Sequence, residues 1–299
     1  MKAVNDVSFS IDKSEIVGLV GESGCGKSTL AFAIMRLVPP PGKIVGGKIL
    51  LDNINLLDLS EDDMRKIRGA KISMVFQDPM TSLDPLMRIG DQIVEMLITH
   101  TNMSKDEARD YTMQLLELVG IKKDRFKDYP HQLSGGMRQR VMIAMAIALR
   151  PKLVIADEPT TALDVIVQEQ IMDLFKELRE KFGTSILLIS HDIALILEVA
   201  DKVGVMYGGH LMEFSSSLDI VKDPLHPYTR ELLKAIPNVE LEDQKLVSIP
   251  GNPPDLLNPP KGCMFHPRCP LAMDICKEKE PKTTIVNGRI VKCWLYQER

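Results

Sequence analysis

The sequence lacks a hydrophobic run long enough to cross a membrane. Its longest apolar stretch, Val141 to Leu149, falls far short of the roughly 18 residues that a spanning helix needs. The N-terminus carries Lys2 and Asp6 and has no apolar core of the kind found in secretory signals. We therefore expect the chain to stay in the cytoplasm.

An excess of positive charge is also missing. The formal net charge is -4, so a polyanion such as DNA gains no long-range attraction. Any bound phosphate has to be held by local backbone dipoles and a few cations. Nucleic acid is accordingly not expected as a partner.

No motif occurs twice, which argues against two copies of one domain in this chain. Short β-rich runs alternate with helical patterns, and this alternation predicts an α/β fold with a largely parallel sheet. The predicted strands are 15–20, 72–76, 153–156 and 185–189, and the predicted helices start at Lys27, run through 88–119 and surround 171–178.

Helix-rich sequence without strand signals marks 78–149 as a helical insertion. Prolines crowd the chain after Ile236, and they predict a small, loop-rich appendage. The expected organisation is a nucleotide-binding domain over 1–235, with its helical subdomain at about 78–149, and a C-terminal extension over 236–299.

A phosphate-binding loop is predicted between the first strand and the helix at Lys27. The segment fits the pattern G-x-x-x-x-G-K-[ST], in which glycines let main-chain N–H groups converge on phosphate oxygens. Lys27 would reach the β- and γ-phosphates, and Ser28 would ligate Mg²⁺. The expected nucleotide-binding residues here are Gly21, Ser23, Gly24, Cys25, Gly26, Lys27, Ser28 and Thr29.

Two carboxylates follow the apolar strand at 153–156. Asp157 would hold Mg²⁺, and Glu158 would orient the water that attacks the γ-phosphate. About twenty residues upstream stands Leu133-Ser134-Gly135-Gly136-Met137. This segment resembles the signature motif of ATP-binding-cassette ATPases. The resemblance implies a P-loop NTPase fold, with a RecA-like core, a mixed sheet and a helical subdomain.

Three further positions resemble that family's motifs over residues 1 to about 235. Gln77 matches the Q-loop glutamine near the metal and water, Asp164 matches the D-loop, and His191 matches the histidine that bonds the γ-phosphate. The resemblance implies two cassettes closing over two ATP molecules, with Ser134, Gly135 and Gly136 binding the opposite subunit's ATP. One departure concerns the adenine base, because only Phe9 precedes the loop as an aromatic residue. Either a first strand precedes Met1, which would then lie in the next strand, or adenine is held differently.

The tail resembles one branch of the family. Asp223-Pro224-Leu225-His226-Pro227-Tyr228-Thr229 and Phe76-Gln77-Asp78-Pro79 are similar to segments of the peptide and nickel importers. The implied partners are a second ABC ATPase subunit, two transmembrane permease subunits and an extracytoplasmic peptide-binding protein. The implied location is the cytoplasmic face of the membrane. Nickel import is the nearest alternative substrate, and a cassette ATPase acting on nucleic acid is a more distant one.

Four of the five cysteines lie in the last 37 residues, at Cys263, Cys269, Cys276 and Cys293. The tight C-x2-C knuckles of structural zinc sites are absent, although the spacing around His266 leaves zinc open. Four loosely spaced cysteine thiolates in a proline-rich segment suit an iron-sulfur cluster better than a zinc site. The branch places a 4Fe-4S cluster at a segment that Cys-Met-Phe-His-Pro-Arg-Cys-Pro resembles, with zinc or free thiols as the alternatives.

Overall fold

A computed structural model describes residues 1–236 and 249–297. The strands are β1 (Ile16–Val20), β2 (Leu50–Leu51), β3 (Ile54–Asn55), β4 (Ile72–Val75), β5 (Leu153–Asp157), β6 (Ser185–Ser190), β7 (Lys202–Tyr207), β8 (His210–Ser216), β9 (Thr284–Val286) and β10 (Arg289–Val291). The helices are α1 (Lys27–Ile34), α2 (Glu61–Ile67), α3 (Pro79–Ser82), α4 (Ile89–His100), α5 (Lys105–Leu118), α6 (Gly135–Ile147), α7 (Val165–Phe182), α8 (Ile193–Leu197), α9 (Ser217–Lys222), α10 (Pro227–Lys234) and α11 (Asp274–Glu278). None of the helices within these two ranges is long and apolar enough to cross a bilayer.

The chain divides into two compact units. The first contains residues 1–11, 16–47 and the chain from 189 onward. The second contains residues 12–15 and 48–188. The predicted extension over 236–299 includes residues 237–248 and 298–299, which lie outside the described part of the chain.

The sheet of the first unit has the strand order β1-β7-β8-β10-β9. Strands β1 and β7 run parallel, with Val17 opposite Lys202, and all five residues of β1 are buried. The remaining pairs in this sheet are antiparallel. The sheet is therefore mixed, as expected for the fold, and less uniformly parallel than the alternation of strands and helices suggested.

The tail adds two strands to this sheet. Ile290 of β10 pairs with Phe214 of β8, and β9 closes the edge as a hairpin with β10. Val291 and Cys293 are buried there together with Leu225. No sequence signal indicated β9 and β10, because each of these strands is only three residues long.

In the second unit β4 and β5 are parallel neighbours, and β6 follows them in strand order. Residues 78–149, all of which the structure describes, contain helices and short 3-10 turns but no strand. The helices predicted for 88–119 are α4 and α5, and Ser104 caps α5 in a capping box with Glu107. The small β2–β3 hairpin was missed by the sequence analysis.

Candidate functional site

The phosphate loop joins the buried strand β1 to helix α1 and depends on backbone that only glycine adopts easily. Gly21 has φ +151° and Gly26, the residue before α1, has φ +105°. A Cβ on Gly21 would lie 2.1 Å from the carbonyl oxygen of Met206, and one on Gly26 would lie 2.2 Å from that of Ala3. The loop is therefore packed against main chain at both ends.

Lys27 is buried at the start of α1. Its ammonium donates hydrogen bonds to the carbonyl oxygens of Gly21, at 2.7 Å, and Glu22, at 3.2 Å. Cys25 is also buried, and burial raises the pKa of its thiol, so the sulfur stays neutral beside Lys27. A neutral, buried thiol packs as a small apolar side chain.

The other predicted nucleotide ligands of the first unit are more accessible. Ser23 and Gly24 are exposed, whereas Ser28 and Thr29 are half-buried in the first turn of α1. His191 is exposed directly after β6.

The N-terminal segment gives no support for the predicted strand at Met1, because residues 1–15 contain no strand. Phe9, the aromatic residue considered for adenine, instead packs on Phe214 of β8 with the ring centroids 5.6 Å apart.

In the second unit, the parallel pairing of β4 and β5 brings Gln77 and Glu158 together at the carboxyl ends of the two strands. The Gln77 amide donates a hydrogen bond to the Glu158 carboxylate at 3.1 Å. Asp157, the last residue of β5, is only 3% exposed. Glu158 has φ +46°, a left-handed conformation that costs free energy in a non-glycine residue and is often found at functional sites.

The Thr161 hydroxyl donates a second hydrogen bond to Glu158, at 2.9 Å. Sequence analysis missed this contact. The Glu158 carboxylate is thus held by an amide and a hydroxyl, neither of which carries a positive charge.

The signature segment caps α6. The Ser134 side chain accepts a hydrogen bond from the N–H of Met137, and Gly135 and Gly136 form the first turn. A Cβ on Gly136 would lie 2.7 Å from a methyl group of Val167 in α7. Asp164 caps α7 by accepting from the N–H of Val167, so the structure places the signature and D-loop segments side by side.

The four tail cysteines line one cavity, together with His226 and Phe265. Burial raises the pKa of Cys263 to about 12 and that of Cys293 to about 11, and the neighbouring thiols add to both shifts. Within 1–236 and 249–297, no three His, Cys, Asp or Glu residues are placed to hold a metal ion, so the geometry does not support the metal-binding character predicted for the tail. The His266 ring bonds the Cys263 carbonyl oxygen at 2.8 Å.

The tail also contacts the phosphate loop, which sequence analysis missed. Arg268 forms an ion pair with Glu22, and the Tyr228 hydroxyl accepts a hydrogen bond from the Glu22 N–H. Both partners stand inside segments that the sequence had singled out, the His-Pro-Tyr run and the cysteine run. No local pattern could have indicated that they meet Glu22.

Comparison with known proteins agrees with this arrangement. The family model described as "ABC transporter" matches residues 4–161, and that described as "Oligopeptide/dipeptide transporter, C-terminal region" matches 212–276. The oligopeptide transport ATP-binding protein OppD of Escherichia coli (strain K12) is 50% identical over 98% of this chain and 87% of its own length. AppD of Bacillus subtilis (strain 168), also an oligopeptide transport ATP-binding protein, is 52% identical over 99% and 92%.

Solved structures agree on the fold. The dimeric ATP-binding cassette MJ0796, bound to ADP and Pi in a post-hydrolysis state, superposes with a TM-score of 0.65 and 34% identity. It covers 72% of this chain and 90% of its own. The phosphate loop after β1, with its positive-φ glycines, agrees with these matches. The chain therefore belongs to the ABC transporter family of ATPases, and its relatives are the ATP-binding subunits of oligopeptide and dipeptide transporters.

Proposed function

We propose that this chain hydrolyses ATP to power the import of dipeptides and oligopeptides across the cytoplasmic membrane. One observation carries the proposal: a phosphate loop and a peptide-transporter C-terminal region occur in the same chain, and they contact each other in the first unit. The curated relatives are named for peptide transport. Nickel import and action on nucleic acid are therefore not favoured.

Nucleotide binding rests on the phosphate loop. Its main-chain N–H groups and the N-terminus of α1 bind phosphate oxygens, and Lys27 exchanges its loop carbonyls for the β- and γ-phosphates. The hydroxyl of Ser28, the amide oxygen of Gln77 and the carboxylate of Asp157 are hard oxygen ligands, which suit Mg²⁺. When bound, Mg²⁺ neutralises charge on the phosphates.

Hydrolysis rests on Glu158, which accepts the proton of the attacking water while Gln77 and Thr161 hold its carboxylate in place. His191 donates to the γ-phosphate. Ser134, Gly135, Gly136 and Asp164 serve the nucleotide of a facing cassette. Loss of the γ-phosphate contacts then lets the two cassettes separate.

The partners that follow from this function are a second ABC ATPase subunit, two transmembrane permease subunits and an extracytoplasmic peptide-binding protein. The chain then works at the cytoplasmic face of the membrane, bound to the permease.

A growth experiment tests the substrate class. A strain that lacks this gene and requires one amino acid should fail to grow when that amino acid is supplied only as a dipeptide or oligopeptide. The wild-type gene should restore growth, and the same gene carrying Glu158→Gln should not. Restored growth on limiting nickel with no effect on peptide use would contradict the proposal.

For the tail we propose a 4Fe-4S cluster held by Cys263, Cys269, Cys276 and Cys293. The four thiols line one cavity, as a four-cysteine ligand set requires. The cluster would tie the segments of the tail together.

Anaerobic purification tests this assignment without reference to activity. The protein should be brown and contain iron and acid-labile sulfide, and a variant with Cys263→Ser and Cys293→Ser should be colourless. A colourless wild-type protein with one zinc per chain would contradict the cluster.

A further inference from the structure

Glu22 occupies a variable position of the phosphate loop, yet it is fixed on three sides. Its carboxylate accepts two hydrogen bonds from the Arg268 guanidinium, at 2.6 and 2.9 Å. Its N–H donates to the Tyr228 hydroxyl at 3.0 Å, and its carbonyl oxygen accepts from Lys27 at 3.2 Å. The residue that touches Lys27 through its carbonyl is therefore anchored through its side chain and its N–H.

Arg268 is itself held in one orientation. It lies in the 3-10 turn between Cys263 and Cys269, and its side chain is 5% exposed. Besides Glu22, the guanidinium donates to the carbonyl oxygens of Pro250, at 2.9 Å, and Ile249, at 3.2 Å. It also donates to the Tyr207 hydroxyl at 3.2 Å. A planar guanidinium with this many hydrogen-bond partners has little freedom to move with the phosphate loop.

Aromatic packing supports the same contact. The rings of Tyr207, Tyr228 and Phe265 pack against one another with centroids 4.6 to 5.2 Å apart. Tyr228 and Phe265 are fully buried. Burial raises the pKa of Tyr228, so its hydroxyl keeps its proton while it accepts from the loop. The end of β7, the start of α10 and the tail thus form one rigid support.

Charge gives this contact a direct effect on ATP. The phosphate loop binds a polyanion, and the Glu22 carboxylate adds a negative charge to that same loop. Arg268 compensates the negative charge of this carboxylate through their ion pair. Without Arg268, a partly buried carboxylate would be left unpaired beside the bound phosphates, which is unfavourable for the loop and for ATP.

We infer that Arg268 is a positioning residue for ATP binding, and that through Glu22 the C-terminal tail sets the geometry and charge of the phosphate loop. The inference rests on ATP binding at this loop, the first step of the proposed function. Arg268 acts through Glu22 and needs no contact with nucleotide. The peptide-transporter tail would then act directly on the ATPase of its own chain.

Equilibrium binding of radiolabelled ATP with Mg²⁺ to the full chain tests the inference. Arg268→Ala should raise the Kd for ATP about tenfold, as expected for the loss of a charge-assisted hydrogen-bond pair. Adding Glu22→Gln to Arg268→Ala should recover most of the affinity, because no unpaired carboxylate remains. In ATPase assays Arg268→Ala alone should raise the KM for ATP with little change in kcat.

Lys292→Ala is the matched control. Lys292 is another buried cation of the tail, paired at 2.7 Å with Glu280, which is not in the phosphate loop. Both alanine variants should lower the melting temperature, but only Arg268→Ala should change the Kd. Arg268→Lys keeps the charge without the two-pronged contact, and it should raise the Kd about threefold even if Arg268→Ala does not fold.

Two failures are distinguishable. If wild-type protein does not bind ATP, or binds it as well after Lys27→Ala, the proposed function is wrong. Suppose instead that wild-type protein binds ATP and that both Arg268 variants bind it within twofold of wild type. Only the positioning role of Arg268 is then refuted. The same holds if adding Glu22→Gln to Arg268→Ala recovers none of the lost ATP affinity.

Discussion

The phosphate loop of the first unit is packed against main chain and supported by the tail, whereas Glu158 in the second unit is held by the side chains of Gln77 and Thr161. Gly21 and Gly26 pack against carbonyl groups, and the loop rests on buried rings and an ion pair. Glu158 is half-buried and held by exposed Gln77 and Thr161. Binding a large anion calls for a rigid array of N–H groups, while proton transfer calls for one carboxylate that can still change its charge.

Glu158→Gln should distinguish the two regions most strongly, because it should affect turnover and leave ATP binding nearly unchanged. Turnover should fall by about a hundredfold or more, because an amide cannot take a proton from water. The Kd for ATP should change little, since the phosphate loop is untouched. Single-turnover hydrolysis and equilibrium ATP binding measure the two effects, and undiminished hydrolysis would reject Glu158 as the base.

Next in size is a change to the loop itself. Gly21→Ala combines a strained φ with a Cβ 2.1 Å from Met206 oxygen, and should destabilise the protein by about 3 kcal/mol. ATP affinity should fall more than about tenfold. Gly24→Ala is the control, because its Cβ meets nothing within 4 Å and only its φ of +77° is strained. Equal melting temperatures for the two variants would show that close packing does not fix the loop.

A smaller effect is expected at Thr161. Thr161→Val removes the hydroxyl that donates to Glu158, and kcat should fall about fivefold, the value of one hydrogen bond of roughly 1 kcal/mol. Thr161→Ser retains the donor and should keep kcat near wild type. Steady-state ATPase assays at saturating ATP compare the two, and equal kcat values for Thr161→Val and Thr161→Ser would contradict this role of the hydroxyl.

The smallest effect concerns stability of the first unit and neither ATP binding nor turnover. Burial lowers the pKa of His210 to about 4, against an ordinary value of 6.5. Between these pH values the unfolded chain binds a proton that the folded chain does not, so this contribution to stability is lost as the pH falls from about 6.5 to 4. Denaturant unfolding of His210→Gln should show a shallower loss than wild type, while exposed His100→Gln should not.

Local patterns carried much of the fold and of the candidate site. The phosphate loop and the strand that ends at Asp157 depend on neighbours within a few residues, and each stands where the sequence predicted it. Short elements with weak patterns, such as β9 and β10, were not predictable. The strand expected at Met1 is also absent. A few apolar residues do not form a strand unless a neighbouring strand pairs with them.

The sequence by itself determined the family, and it supplied the residues proposed to bind phosphate and activate water, because that chemistry needs particular residue types at fixed local spacing. Only the tertiary structure decided that Arg268 meets Glu22, which lies 246 positions away, and that Thr161 holds Glu158. Contacts of this kind depend on where the chain returns in space. Packing sets that path, and no pattern of neighbouring residues records it.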